Sequence, residues 1–86
     1  MTYENAKALI GAQERSLRKV NGFTFSYKGY DFRVKYFGGF AAYIGIDYRQ
    51  TGKRNYKYFG GIGGYKYLSA CDALDAVRDE VVKKIG

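Results

Sequence analysis

The 86-residue chain reads as an α+β domain, with an amino-terminal helix, a three- to four-stranded antiparallel sheet and a carboxy-terminal helix packed across one sheet face. Three observations predict this. Residues 28–66 alternate apolar and polar side chains at the period of two that a strand imposes. That stretch holds two copies of one pattern, Lys35-Tyr36-Phe37-Gly38-Gly39-Phe40 and Lys57-Tyr58-Phe59-Gly60-Gly61-Ile62. Both ends of the chain carry apolar residues at three- and four-residue spacing. The length allows one domain over 1–86: helix at 1–21, sheet at 23–59, Gly-rich connection at 60–68 and helix at 69–85.

Thr2 is the expected N-cap of the first helix, with Glu4 at the positive end of its dipole. Ala6, Ile10, Leu17 and Val20, joined by Leu9 and interrupted by Gln13, form its apolar stripe. Asn21-Gly22 is the expected stop, and Lys7, Arg15, Arg18 and Lys19 take the outward face as solvated charges. Phe23, Phe25 and Tyr27 suggest a short strand, and Lys28-Gly29 a turn. Strands over Tyr30–Phe37, Phe40–Arg49 and Arg54–Phe59 follow, the last two joined by Gln50-Thr51-Gly52-Lys53. Ser69 and Asp72 look like a capping pair, and Ala70, Ala73, Leu74, Val77, Val81 and Ile85 make the last apolar stripe. Asp72 and Asp75 in its first turns and Lys83 and Lys84 in its last match the macrodipole.

Alternation then assigns faces. Tyr30, Phe32, Val34, Tyr36, Ala42, Ile44, Ile46, Tyr48, Tyr56 and Tyr58 are expected on the core face under the last helix. Arg33, Lys35, Tyr43, Arg49 and Lys57 are expected on the opposite face, among Asp31, Asp47 and Asn55. The net charge of +7 is concentrated there: residues 28–66 hold eight basic against two acidic residues, a net +6, whereas Ser69 onward has three against four, a net −1. Guanidinium and ammonium groups interleaved with aromatic rings are what phosphate oxygens, guanine edges and base faces require. The candidate nucleic-acid-binding residues are therefore Arg33, Lys35, Tyr43, Arg49, Lys53, Arg54 and Lys57.

Other classes lack their residues. There is no histidine, Ser16, Ser26 and Ser69 have no base beside them in sequence, and Asp72, Asp75 and Asp79 lie at helix spacing that capping and solvation explain. The expectation is a protein that is not an enzyme and needs no cofactor or metal. Cys71 is the single cysteine, so no internal disulfide forms. Gly60-Gly61-Ile62-Gly63-Gly64 lacks the Gly-Lys-Ser/Thr ending of a phosphate loop and is expected to be a flexible or bulged connection. No run approaches the ~20 apolar residues of a membrane span and no signal-peptide layout is present, which favours a cytoplasmic location.

Residues 32–82 resemble the AP2-type domain of plant transcription factors and, in divergent form, the arm-binding domain of phage and transposon integrases. Phe32-Arg33-Val34-Lys35-Tyr36 stands for the first strand, Ala42-Tyr43-Ile44-Gly45-Ile46 for the second, Thr51-Gly52-Lys53-Arg54 for the turn and Tyr58-Phe59-Gly60 for the third. Ser69 to Glu80, with Ala70, Ala73 and Ala76, resembles the alanine-rich helix. The resemblance implies a phage or mobile-element protein whose sheet face binds double-stranded DNA in the major groove, through Arg33, Lys35, Tyr43, Arg49 and Lys57 with Lys53 and Arg54 at the turn.

The element order is also similar to that of double-stranded-RNA-binding domains, which place a lysine cluster where this chain has Ser69, Ala70, Cys71 and Asp72. The alternative from another class is a small phage-type inhibitor, anti-CRISPR-like, or an adaptor that docks Tyr and Arg residues on an acidic protein surface. Phe37 and Phe59, both expected on the basic face, are candidate homodimer contacts.

Overall fold

Burial of one sheet face under helix α2 organises the chain. The computed structural model describes residues 1–11, 14–39 and 41–86; Ala12, Gln13 and Phe40, and with them the expected places of Gln13 on a helix and of Phe40 at the head of a strand, lie outside the described residues. Helix α1 spans Tyr3–Ile10, strands β1 to β4 span Thr24–Tyr27, Tyr30–Phe37, Tyr43–Gln50 and Lys57–Gly63, and helix α2 spans Ala70–Ile85. Short 3₁₀ turns occupy Leu17–Val20 and Gly64–Lys66. The sheet is an open antiparallel meander in the order β1-β2-β3-β4. The α+β arrangement expected from the sequence is the one found.

Cross-strand pairing shows why these residues share a core. Phe25 opposes Phe32 and Phe32 opposes Tyr48, while Val34 opposes Ile46 and Tyr36 opposes Ile44. Phe25, Phe32, Val34, Ile44 and Ile46 are buried under Ala70, Ala73, Leu74, Val77 and Val81 of α2. Each such large side chain contributes about 1.5–3 kcal/mol on burial. Phe32 is central, its ring stacked on Phe25 at 5.3 Å and edge-on to Phe59 at 5.2 Å. Ala70 and Ala73 of α2 are fully buried, and Ser69 starts the helix by accepting a hydrogen bond from the Asp72 amide at 3.1 Å.

The first helix is shorter than its apolar stripe suggested. Thr2 caps α1 through the Asn5 amide at 3.2 Å, but α1 ends at Gly11, whose φ of +85° and ψ of 142° only glycine adopts readily. Leu17 and Val20 still pack on the core, delivered by a separate 3₁₀ turn, and Leu9 is exposed. Tyr3 and Ala6 carry the burial of α1. The Tyr3 hydroxyl donates to Asp75 Oδ1 at 2.5 Å and Lys7 Nζ pairs with the same oxygen at 2.8 Å, so Lys7 joins α1 to α2 instead of standing free. Burial, reinforced by the Asp75 carboxylate, pushes the Tyr3 phenol far above its ordinary value.

Two turns follow the sequence closely. Lys28 at φ +49° and Gly29 at φ +84° form the two-residue link between β1 and β2, with both central residues in the left-handed region that such hairpins demand. The β3–β4 link is tied back to it by the Thr51 amide donating to the Gly29 carbonyl at 3.0 Å. The Gly60–Gly63 stretch is not a loose connection: it pairs with Ile46 to Tyr43 and belongs to β4.

Gly11→Ala is expected to destabilise the chain by about 1–3 kcal/mol, because a Cβ is strained in this backbone conformation although nothing lies near it. A shift of the urea midpoint at unchanged slope checks this.

Candidate nucleic-acid interface

The face turned away from α2, here the outer face, is built from cross-strand rows. Thr24, Arg33, Asp47 and Tyr58 form one row, Ser26, Asp31 and Arg49 a second, Lys35, Gly45 and Gly61 a third, and Phe37, Tyr43 and Gly63 a fourth. Arg33, Lys35, Tyr43 and Arg49 thus meet on one surface as expected.

A bulge changes the rest. Ile46 pairs with Gly60 but Asp47 pairs with Tyr58, so Phe59 is an extra residue and the alternation of β4 reverses before it. Tyr58 stands beside Asp47 on the outer face, and Lys57, opposite Tyr48, moves to the core-face side. Expectations for three residues are corrected: Tyr56 and Tyr58 leave the core face and Lys57 leaves the basic one. Phe59, expected on the basic face as a dimer contact, packs edge-on against Phe32 and Tyr48. The glycine pair inside a strand-like run was the available signal, since such glycines mark bulges and close approaches.

Carboxylates hold the outer-face cations. Asp47 Oδ2 lies 3.2 Å from an Arg33 guanidinium nitrogen and 3.0 Å from Lys35 Nζ, and Asp31 Oδ2 lies 3.0 Å from Arg49 Nε. Asp31 Oδ1 also accepts from Ser26 Oγ at 2.9 Å and Thr51 Oγ1 at 3.0 Å. Three cations share two carboxylates, so the centre of this face carries about one net positive charge rather than three. Tyr56, missed by the sequence argument, receives both guanidinium groups over its ring, Arg33 at 4.2 Å and Arg49 at 4.6 Å.

The carboxyl groups register these contacts. The Ser26 hydroxyl, helped by Arg49 and Thr51, holds Asp31 below its ordinary value despite some burial. Burial pushes Asp47 up, and the bonds from Lys35 and Arg33 outweigh it, leaving the carboxyl below its ordinary value.

Aromatic rings fill the other half of the face. Tyr43 lies across Gly61, where any Cβ would intrude on its ring, and its hydroxyl shares a 2.7 Å hydrogen bond with that of Tyr58. That bond, with some burial, raises the Tyr43 phenol above its ordinary value. Phe37 lies against Gly45, 6.0 Å from the Tyr43 ring. Phe37 is 53%, Tyr58 67% and Tyr43 37% exposed, an aromatic surface offered to solvent. Lys53 and Arg54 stand at the hairpin end beside the ion-pair rows, exposed and with no carboxylate at ion-pair distance among the described residues.

Among the described residues no group of three metal-ligating side chains comes together. None of the described helices is long and apolar enough to cross a membrane. Fold and surface define a small α+β sheet domain whose outer face combines clamped cations with exposed aromatic rings. No protein-family model, no curated protein and no solved structure matches the chain.

Because Asp47 has a lowered folded-state value, its contribution is present above the unfolded value of 3.8 and is lost as pH falls through the lower folded value. Asp47→Asn is expected to cost about 0.5–1.5 kcal/mol at neutral pH, since Arg33 and Lys35 lose their partner but remain partly hydrated. The gap to the native chain should narrow at a pH below 3.8, as the native carboxyl begins to be protonated through its lowered folded-state value. Urea midpoints at both pH values measure it.

Proposed function

We propose that the chain is a small nucleic-acid-binding protein that meets double-stranded DNA with its outer sheet face. The observation that carries this reading is the juxtaposition of clamped Arg33, Lys35 and Arg49 with exposed Tyr43, Tyr58 and Phe37, next to Lys53 and Arg54, which have no carboxylate partner among the described residues. Asp31 and Asp47 lower the net charge of the face, but they also hold the guanidinium groups in one orientation. A side chain already ordered loses less entropy on meeting a base edge or phosphate. Lys53 and Arg54 supply the positional, sequence-independent anchor. An antiparallel sheet can lie in a major groove, and the role belongs to a cytoplasmic protein of phage or mobile-element type.

The clamps also favour a second reading. A face with little net charge and three exposed aromatic rings suits an acidic or mixed protein surface, with Tyr and Arg as hot spots, in an inhibitor or adaptor. Salt separates the two, because phosphate contacts release counterions and an aromatic protein interface depends on them far less.

Fluorescence anisotropy with a duplex at several salt concentrations is the test. About four phosphate contacts would give a log–log salt slope of roughly −3 to −4. Lys53→Ala with Arg54→Ala should weaken binding at low salt and reduce the slope by about 2. Absence of duplex binding at near-physiological salt would sink the DNA reading. Salt-insensitive capture of a protein that is lost with Tyr43→Ala would establish the other.

A further inference from the structure

The reversal that moves Lys57 off the outer face places it in a second surface. On the core-face side, beyond the end of α2, the β3–β4 hairpin closes a hollow of about 450 Å³ lined by Arg49, Lys53, Arg54 and Lys57 with Tyr30 and Tyr48. The remaining lining residues are two amides, so no acid lines it. Arg49 is committed to Asp31, but Lys53, Arg54 and Lys57 have no ion-pair partner among the described residues. Three cations around one space repel one another unless an anion enters.

A second hollow of about 450 Å³ shares Tyr30 and Tyr48 and continues along Phe59 to Lys84 and Ile85. Both volumes fall in the range of about 300–1,000 Å³ typical of small-ligand sites. The shared tyrosines are half-buried and packed on the core, their rings 6.0 Å apart, so the aromatic wall is held in place. Glu80 pairs with Lys84 at 3.5 Å at the aromatic end, and Asp31 pairs with Arg49 at 3.0 Å at the cationic end. One groove is therefore cationic at its hairpin end and aromatic at its helix end.

We propose that this groove binds a nucleotide unit, with the phosphate among Lys53, Arg54 and Lys57 and the base against Tyr48 and Phe59. Phosphate takes charge-assisted bonds from the three side chains, and a base offers a π-face to the fixed rings whatever its identity. The unit can come from a free nucleotide or from a single strand. The groove lies mainly on the opposite sheet side from the proposed duplex surface and shares with it Arg49, Lys53, Arg54 and Tyr58, whereas Lys57, Tyr48 and Phe59 belong to the groove alone, so loss of the groove through Lys57 is distinguishable from loss of the duplex surface through Phe37 and Tyr43.

The test is a nuclear magnetic resonance titration of the whole chain with AMP, adenosine and a short oligothymidylate, following backbone amides. AMP or the oligomer should shift amides between Tyr48 and Phe59 and at Ile85, with adenosine at least about tenfold weaker than AMP. Lys57→Met, an exposed substitution whose spectrum reports its own folding, should weaken AMP about tenfold. Phe37→Ser with Tyr43→Ser should leave AMP binding intact while reducing duplex binding. Tighter binding of AMP than of the oligomer assigns a free nucleotide, and the reverse order a strand. No shift in the groove with either probe, adenosine binding as tightly as AMP, or a Lys57→Met chain that binds AMP unchanged would each overturn the proposal. Loss of duplex binding alone would overturn only the sheet-face reading.

Discussion

A single extra residue in β4 decides what both surfaces of the sheet contain. Between the Ile46–Gly60 and Asp47–Tyr58 pairs, Phe59 has no partner in the register, and its ring turns into the core against Phe32 and Tyr48. Side chains alternate strictly along a strand, so one inserted residue reverses every position before it. Tyr58 reaches the Tyr43 hydroxyl and Lys57 passes to the helix side because of this one irregularity. The bulge is affordable because Phe59 replaces the lost ladder bonding with aromatic burial.

Charge on the outer face follows from the pairing of partly buried carboxylates with cations rather than from composition. Asp31 and Asp47 sit across the sheet from Arg49 and Arg33, and Asp47 is only 15% exposed while Lys35 is 44% exposed. A carboxylate at such a depth needs partners to offset its desolvation, and Arg33 and Lys35 provide them. The basic surplus of residues 28–66 is consequently strongest at the hairpin, where Lys53, Arg54 and Lys57 have no acidic partner among the described residues. Cation stacking on Tyr56 adds rigidity to Arg33 and Arg49, whose orientations are set by both the ring and the carboxylate.

Much of the fold was legible in residues. The spacing of Ala70, Ala73, Leu74, Val77 and Val81 with Ser69 before it gave α2, and β2 runs over Tyr30–Phe37 as its alternation implied. The first helix was overextended because a stripe from Ala6 to Val20 satisfies helical periodicity even when the chain breaks at Gly11 and resumes as a 3₁₀ turn. Periodicity reports which residues are buried, not whether one continuous helix buries them. Four members of the expected site, Arg33, Lys35, Tyr43 and Arg49, share the outer face, and Lys53 and Arg54 flank it. Lys57 does not, since its side depends on a pairing register that no local pattern contains.

What the sequence determined by itself was the order of the elements, the core face of β2 and β3 and the basic character of the hairpin, because local periodicity and turn chemistry specify these directly. Tertiary structure alone decided the facing of Tyr56, Lys57 and Tyr58, the carboxylate clamps on Arg33, Lys35 and Arg49, and the groove beside Tyr30 and Tyr48. The reason is physical: each depends on contacts between residues far apart in the chain. Strand register is settled by the burial that all pairs gain together.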